Sequence, residues 1–169
     1  MADAECIALD HLAAAVYLAE KRKRTMATII YNNIIPFQGY TAITLWPLIL
    51  ARKSAKPLKA HAENHEKIHL RQQLEVLIAS AAVMAVVIWL ANISWWWMLL
   101  SFVVYYTGYD IDYAIRCFAY GSANEAYRNI AVEQEAYLNQ YDMAYLKQRK
   151  PFAWVRYIGR KTYNKQQTI

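Results

Sequence analysis

Asn64-His65-Glu66-Lys67-Ile68-His69-Leu70-Arg71-Gln72-Gln73 leads, after Glu75, into residues 76–109, where Asp, Glu, Lys, Arg and His do not occur. The first part is polar and contains H-E-x-x-H; the second is apolar and is interrupted at Asn92-Ile93-Ser94. A helix accounts for the first part. On an α-helix positions i and i+4 lie one above the other, so His65 and His69 can bring two imidazole nitrogens to about 2.0–2.1 Å from one zinc ion. Glu66 is then turned to reach a water beside that ion. The helix is expected to start between Leu58 and Asn64, after a basic connector over residues 52–59 that contains Pro57. The competing reading is an exposed polar helix start with two incidental histidines. His61 continues the i, i+4 series and is either a rival ligand or a solvent-facing histidine.

The apolar run divides into two segments of about 15 residues each, whereas a spanning helix needs about 20. Each half could cross a thin bilayer, dip into one leaflet, or form a buried core helix. Trp95, Trp96 and Trp97 beside the polar break suit an interfacial belt. Lys67 and Arg71 before the hairpin, with Arg116 and Arg128 after it, put both ends at the cytoplasmic face by the positive-inside bias. A lipid bilayer is therefore an expected partner.

With 169 residues, 57% of them hydrophobic and 19% charged, the chain has material for one domain and too few charges for a disordered tail. The net charge of +6 suits anionic headgroups against Lys21–Arg24 and the basic tail. Nucleic acid is not expected, because no base-stacking platform accompanies these runs. Cys6 and Cys117 form no C-x-x-C pair and are expected to be reduced thiols. Asp3, Glu5 and Asp10 precede any basic run, so no cleavable signal is read.

The single domain is laid out in four parts. Residues 1–25 form an N-terminal extension with an amphipathic helix over Cys6–Glu20. Residues 26–52 form a β element, rich in Ile, Thr, Tyr and Trp and punctuated by turn residues. Tyr40, Ala42, Thr44 and Trp46 share one side of an extended chain, and Pro47 marks it as an edge strand. Residues 58–120 carry the motif helix and the apolar hairpin. Residues 124–169 hold a helix from about Glu125 to Gln148 and a basic terminal helix opened by Pro151, after a stop and restart at Gly121-Ser122-Ala123-Asn124. The fold class expected is mainly α with a small β element.

Two imidazoles do not complete a catalytic zinc centre, which normally has three protein ligands and one open position. A hairpin that crosses outward and returns brings only residues after about Asp112 back to the histidines. The candidates are Glu125, Glu133 and Glu135; the last two stand about 200° apart on a helix, so at most one of them can bind the metal. Glu75, further along the motif helix, either supports a ligand or is solvated.

The motif, the apolar hairpin and the later Glu133-Gln134-Glu135-Ala136-Tyr137 together resemble the gluzincin metallopeptidases. The likeness is to their membrane-embedded branch, which includes the penicillin-sensor, heat-stress and prenyl-protein proteases, and to small bacterial proteins with the same Asn-His-Glu-Lys-Ile-His opening. It covers roughly residues 40–145. The resemblance implies a zincin-like minimal core with the metal ligands His65, His69 and Glu133, and with Tyr137 standing where that family has Asp. It implies Zn2+ as cofactor, a peptide or protein substrate, and hydrolysis in which Glu66 is the general base that takes a proton from a zinc-activated water. A donor to the oxyanion stays unassigned between Tyr137 and Arg128. The edge strand around Tyr40 to Leu45 either holds extended substrate, as that family does, or is a plain core strand. Two other readings are a non-catalytic membrane adaptor that keeps the fold, and a soluble helical oligomerisation domain with the hairpin packed between copies.

Overall fold

The computed structural model of the chain describes residues 28–37 and 39–163. The amphipathic helix expected over Cys6–Glu20, the Lys21–Arg24 run and Cys6 lie outside the described residues, while Cys117 is a free thiol. The described chain is mostly helical with one small sheet, the α+β class that the composition and patterning predict.

Three strands form the sheet: β1 (Thr28–Asn32), β2 (Ala42–Leu45) and β3 (Leu48–Arg52), in the order β1-β3-β2. β3 runs parallel to β1 and antiparallel to β2. β2 is an outer strand, as the alternation around Tyr40 to Trp46 predicts. Its two faces differ: Thr44 is buried, whereas Ile43 and Leu45 are exposed.

Helix α1 spans Ala60–Ala91, starting inside the expected window. Its 32 residues make it about 48 Å long at 1.5 Å per residue. The motif third packs against β2 and the later helices, and all its buried residues lie between Asn64 and Gln73. Beyond Glu75 the helix stands clear, and none of its most apolar 18-residue window is buried. It is one helix long and apolar enough to cross a membrane. It stops at Asn92, whose left-handed backbone (φ 49°) is one that Asn tolerates better than most side chains. The polar break is thus a helix cap.

The two apolar halves are unlike each other. The first continues the motif helix without interruption; the second opens as a 3-10 segment over Trp95–Phe102 before α2 (Val104–Tyr120). Both halves are largely exposed, with Trp89 at 79% and Trp95 at 63%, although the second also carries Tyr105 into the core. The buried apolar cluster is small, with Tyr105, Ile130 and Val132 at its centre and Val76 and Trp154 packed on it.

The stop and restart appear as expected: Gly121 takes a left-handed conformation (φ 64°) and Ser122 caps α3 (Ala123–Asn129) by accepting from Glu125 N. The single helix expected from Glu125 to Gln148 is not formed. It is broken into α3, α4 (Ala131–Asn139) and α5 (Tyr145–Gln148). The cause is local: Ile130 leaves the helical region (φ −55°, ψ 135°), and Asp112 Oδ2 accepts from Ala131 N at 2.8 Å, capping α4 from another helix. Asn129 turns its side chain to the tail, accepting from Thr162 N and Tyr163 N at 2.9 Å.

The basic terminal helix is also absent. Ala153–Tyr157 makes one 3-10 turn, and the chain then runs on with its backbone held by side chains: Arg160 O accepts from Arg116 and Gln134. Arg116, counted above among the positive-inside charges that flank the hairpin, is buried and paired with Asp112 at 2.7 Å.

Asp112 therefore caps α4 and neutralises a buried guanidinium. Asp112→Ala is expected to lower stability by about 2–3 kcal/mol, and Asp112→Asn by less, as read from denaturation midpoints in detergent. An unchanged midpoint in Asp112→Ala would contradict this account of the break.

Candidate metal centre

One turn of α1 and the first turn of α4 meet at a buried point. His65 Nε2 and His69 Nε2 are 3.1 Å apart. Glu133 Oε2 lies 3.4 Å from the first and Glu133 Oε1 3.4 Å from the second. Ligand atoms bonded at about 2.0–2.1 Å to a tetrahedral ion stand about 3.3–3.4 Å apart. The separations here are of that order, each imidazole facing a different Glu133 oxygen, and the three groups could hold a metal ion. Two buried atoms here have no hydrogen-bond partner, Glu133 Oε2 and His65 Nδ1. An unsatisfied buried acceptor costs about 1–3 kcal/mol, and a cation among the three would remove that cost for Glu133.

Burial alone would raise the pKa of Glu133, but His69 and His65 outweigh it and hold the carboxyl well below the usual range. It is an anion at neutral pH. Tyr109 donates to its Oε1 at 3.0 Å. The Tyr127 phenol, raised first by burial and then by the Glu133 charge, stays protonated.

His69 is oriented from behind. Its Nδ1 bonds Gln72 Oε1 at 2.8 Å, which also accepts from the Tyr105 hydroxyl at 3.2 Å. Gln72 Nε2 donates to Val132 O and to Glu135 Oε2. With its amide committed on both sides, Gln72 offers only an acceptor to the ring, so His69 Nδ1 carries the proton and Nε2 is free to coordinate. Glu135, with 0% exposure, also accepts from Tyr145 and Arg149, and Arg149 bonds Glu75 as well. Burial would lower the pKa of Arg149; Glu135 and Glu75 more than reverse that and keep it charged.

Of the three carboxylate candidates, only Glu133 stands with the histidines. Glu135 points into the Arg149 network, and Glu125 pairs with Lys161 at 2.5 Å. Glu75 bridges Arg149 and the Phe152 amide rather than being solvated. His61 stacks on Tyr141 with ring centroids 5.0 Å apart, outside the ligand group. Tyr137 presents its ring edge-on to His65 at 4.7 Å and offers it no carboxylate.

Glu66 is buried against β2. Thr44 Oγ1 donates to Glu66 Oε2 at 2.6 Å and lies 3.1 Å from Glu66 O. Two cavities, of about 560 and 470 Å3, share His65 and Glu66 in their walls. Gln73 pins the outer strand, donating to Thr44 O at 2.9 Å and accepting from Trp46 N at 2.8 Å.

Sequence reasoning missed Thr44, Tyr105, Tyr109 and Arg149. Tyr105 and Tyr109 correct the expectation that only residues after about Asp112 return to the histidines: the second arm reaches the site earlier. The i, i+4 spacing of Tyr105, Tyr109 and Tyr113 was the available signal.

No family model matches this chain, and neither a curated protein nor a solved structure matches it.

If Gln72 sets the His69 tautomer, Gln72→Leu should weaken metal binding about 10–100-fold, measured by competition with a chromophoric chelator. Wild-type affinity fails the account if it persists in that variant. Burial would lower the His69 pKa, but Glu133 raises it to about 9; a proton therefore competes with the metal there, and affinity in the parent should fall by up to about tenfold for each pH unit below about 9. A flat titration between pH 7 and 5 would exclude the histidines as ligands.

Proposed function

We propose that the protein is a zinc-dependent, membrane-associated peptidase of gluzincin type, with its active site opening at the cytoplasmic face. The observation that carries this reading is Glu66: a carboxylate held by Thr44 in the wall of the same cavities as His65, next to three side chains that could hold a metal ion. Two imidazoles and a carboxylate are a donor set typical of catalytic zinc. Zinc bound there would act as a Lewis acid on a peptide carbonyl and bring the pKa of a water towards about 7.

The chain's own groups do the rest. Glu66 takes the proton of the attacking water and returns it to the leaving amine. Thr44 fixes one carboxylate oxygen through its hydroxyl, and Glu66 lines both cavities. β2 supplies an edge above the motif helix, as in a zincin-like core. In a strand alternate residues turn their N–H and C=O to the same side. Thr41 O is used by Arg52 N on the inner side, so Ala42 and Thr44 turn outward. Gln73 already covers Thr44 O and Trp46 N, which leaves the Ala42 end of the edge for an extended peptide.

The exposed hairpin supports the membrane assignment. Residues 76–91 cover about 24 Å, short of a hydrocarbon core of about 30 Å, which suits a locally thinned bilayer.

Glu66→Gln should keep stoichiometric zinc while peptide cleavage falls about 10²–10⁴-fold. A variant as active as the parent, or a parent without zinc, would end the peptidase reading. Two observations favour a second reading, a non-catalytic membrane adaptor: Tyr137 stands where the gluzincin branch has Asp, and His65 Nδ1 has no partner among the described residues. That reading predicts bound zinc without cleavage. The protein should sediment with membranes and resist a carbonate wash; recovery in the soluble fraction without detergent would favour instead a hairpin packed between copies.

A further inference from the structure

The two cavities at the metal centre differ in charge. The one of about 470 Å3 is walled by tyrosines with Glu66, Glu133 and Asp110, and among the described residues no Lys or Arg lines it. The one of about 560 Å3 is lined by Arg128, its only Lys or Arg among the described residues. Arg128 sits on α3 with its guanidinium carbon over the Tyr137 ring at 5.2 Å and over the Tyr163 ring at 4.6 Å. Tyr137 in turn lies edge-on to His65, so the cation stands one ring beyond a metal ligand.

Stacking uses the faces of a guanidinium and leaves its five N–H donors, which lie in the plane. Among the described residues none of those donors is taken: Arg128 makes no ion pair and no side-chain hydrogen bond. Arg116 and Arg149 are the contrast, each bonded to a carboxylate. Arg128 is therefore oriented by two rings while its directional bonding capacity stays unspent, facing a cavity that reaches Glu66.

We infer that the Arg128 lobe of the site binds a carboxylate of the substrate, as an acidic side chain or a free C-terminus near the bond to be cut. The inference rests on the peptidase reading and names its substrate class. A planar carboxylate matches the paired N–H groups of a guanidinium. With Glu66 in the same lobe, a monoanion is better tolerated than a dianionic phosphate.

The test uses the zinc-loaded full chain in detergent and probes that need no turnover: monohydroxamates of straight-chain diacids with three to six methylenes, each paired with its terminal carboxamide. The hydroxamate anchors at the metal and the far group samples Arg128. At the fitting length the acid should bind about tenfold more tightly than the amide by calorimetry. Arg128→Met should abolish that preference without changing the Kd of acetohydroxamate, and Arg128→Lys should keep part of it. Equal binding of acid and amide at every length overturns the inference from the parent protein alone, even if no variant folds; so does a preference that survives Arg128→Met. Cleavage of acetylated peptide pools differing in Asp against Asn, or in free against amidated C-terminus, identifies the source through KM. An intact acid preference with no pool cleaved sinks the peptidase reading and leaves the carboxylate lobe standing. A chain that holds no zinc sinks both.

Discussion

Glu135 is a carboxylate with no access to water, and the tertiary structure is arranged around neutralising it. Arg149 reaches it from the end of α5, Tyr145 adds a hydroxyl and Gln72 an amide, and Arg149 extends to Glu75 on α1. An isolated buried carboxylate would be prohibitively costly. A buried ion pair adds little net stability over apolar packing of similar volume, but it has direction, which packing lacks. Here that direction registers three segments distant in sequence. Because Gln72 belongs to the network and also holds His69, an error in registering α4 against α1 would be passed to the ligand nitrogen.

The interior is accordingly more polar than is usual for a domain of this size. Gln72, Asn129, Gln134 and Glu135 are among the largest fully buried side chains, while long apolar residues of the hairpin face outward. Each of these polar groups bonds to backbone or side chains of another segment. Directional bonds rather than apolar burial set the fold near the site, and the chain's hydrophobic surface is spent on its surroundings.

This division explains what could be read from the sequence. His65 and His69 were legible because helical spacing alone makes them neighbours, whatever the rest does. The outer strand was legible because alternation and Pro47 are local signals. The choice between Glu133 and Glu135 needed the rotation of α4 about its axis, which depends on the break at Ile130. That break comes from Asp112 and the tail at residues 162–163, contacts between segments that no local pattern records; hence the expectation of one unbroken helix from Glu125 to Gln148. Arg149 was silent for the same reason. Zinc, and the reaction itself, were read through a resemblance and remain the proposal argued above.

The indole side chains are unevenly placed. Four of the six tryptophans, Trp89, Trp95, Trp96 and Trp97, lie on the exposed hairpin, with Trp95 stacked on Trp96 at 4.2 Å. Ultraviolet emission from this protein will thus be dominated by the medium bathing the hairpin, shifting in colour between lipid, detergent and water, and will be a poor gauge of events at the imidazoles.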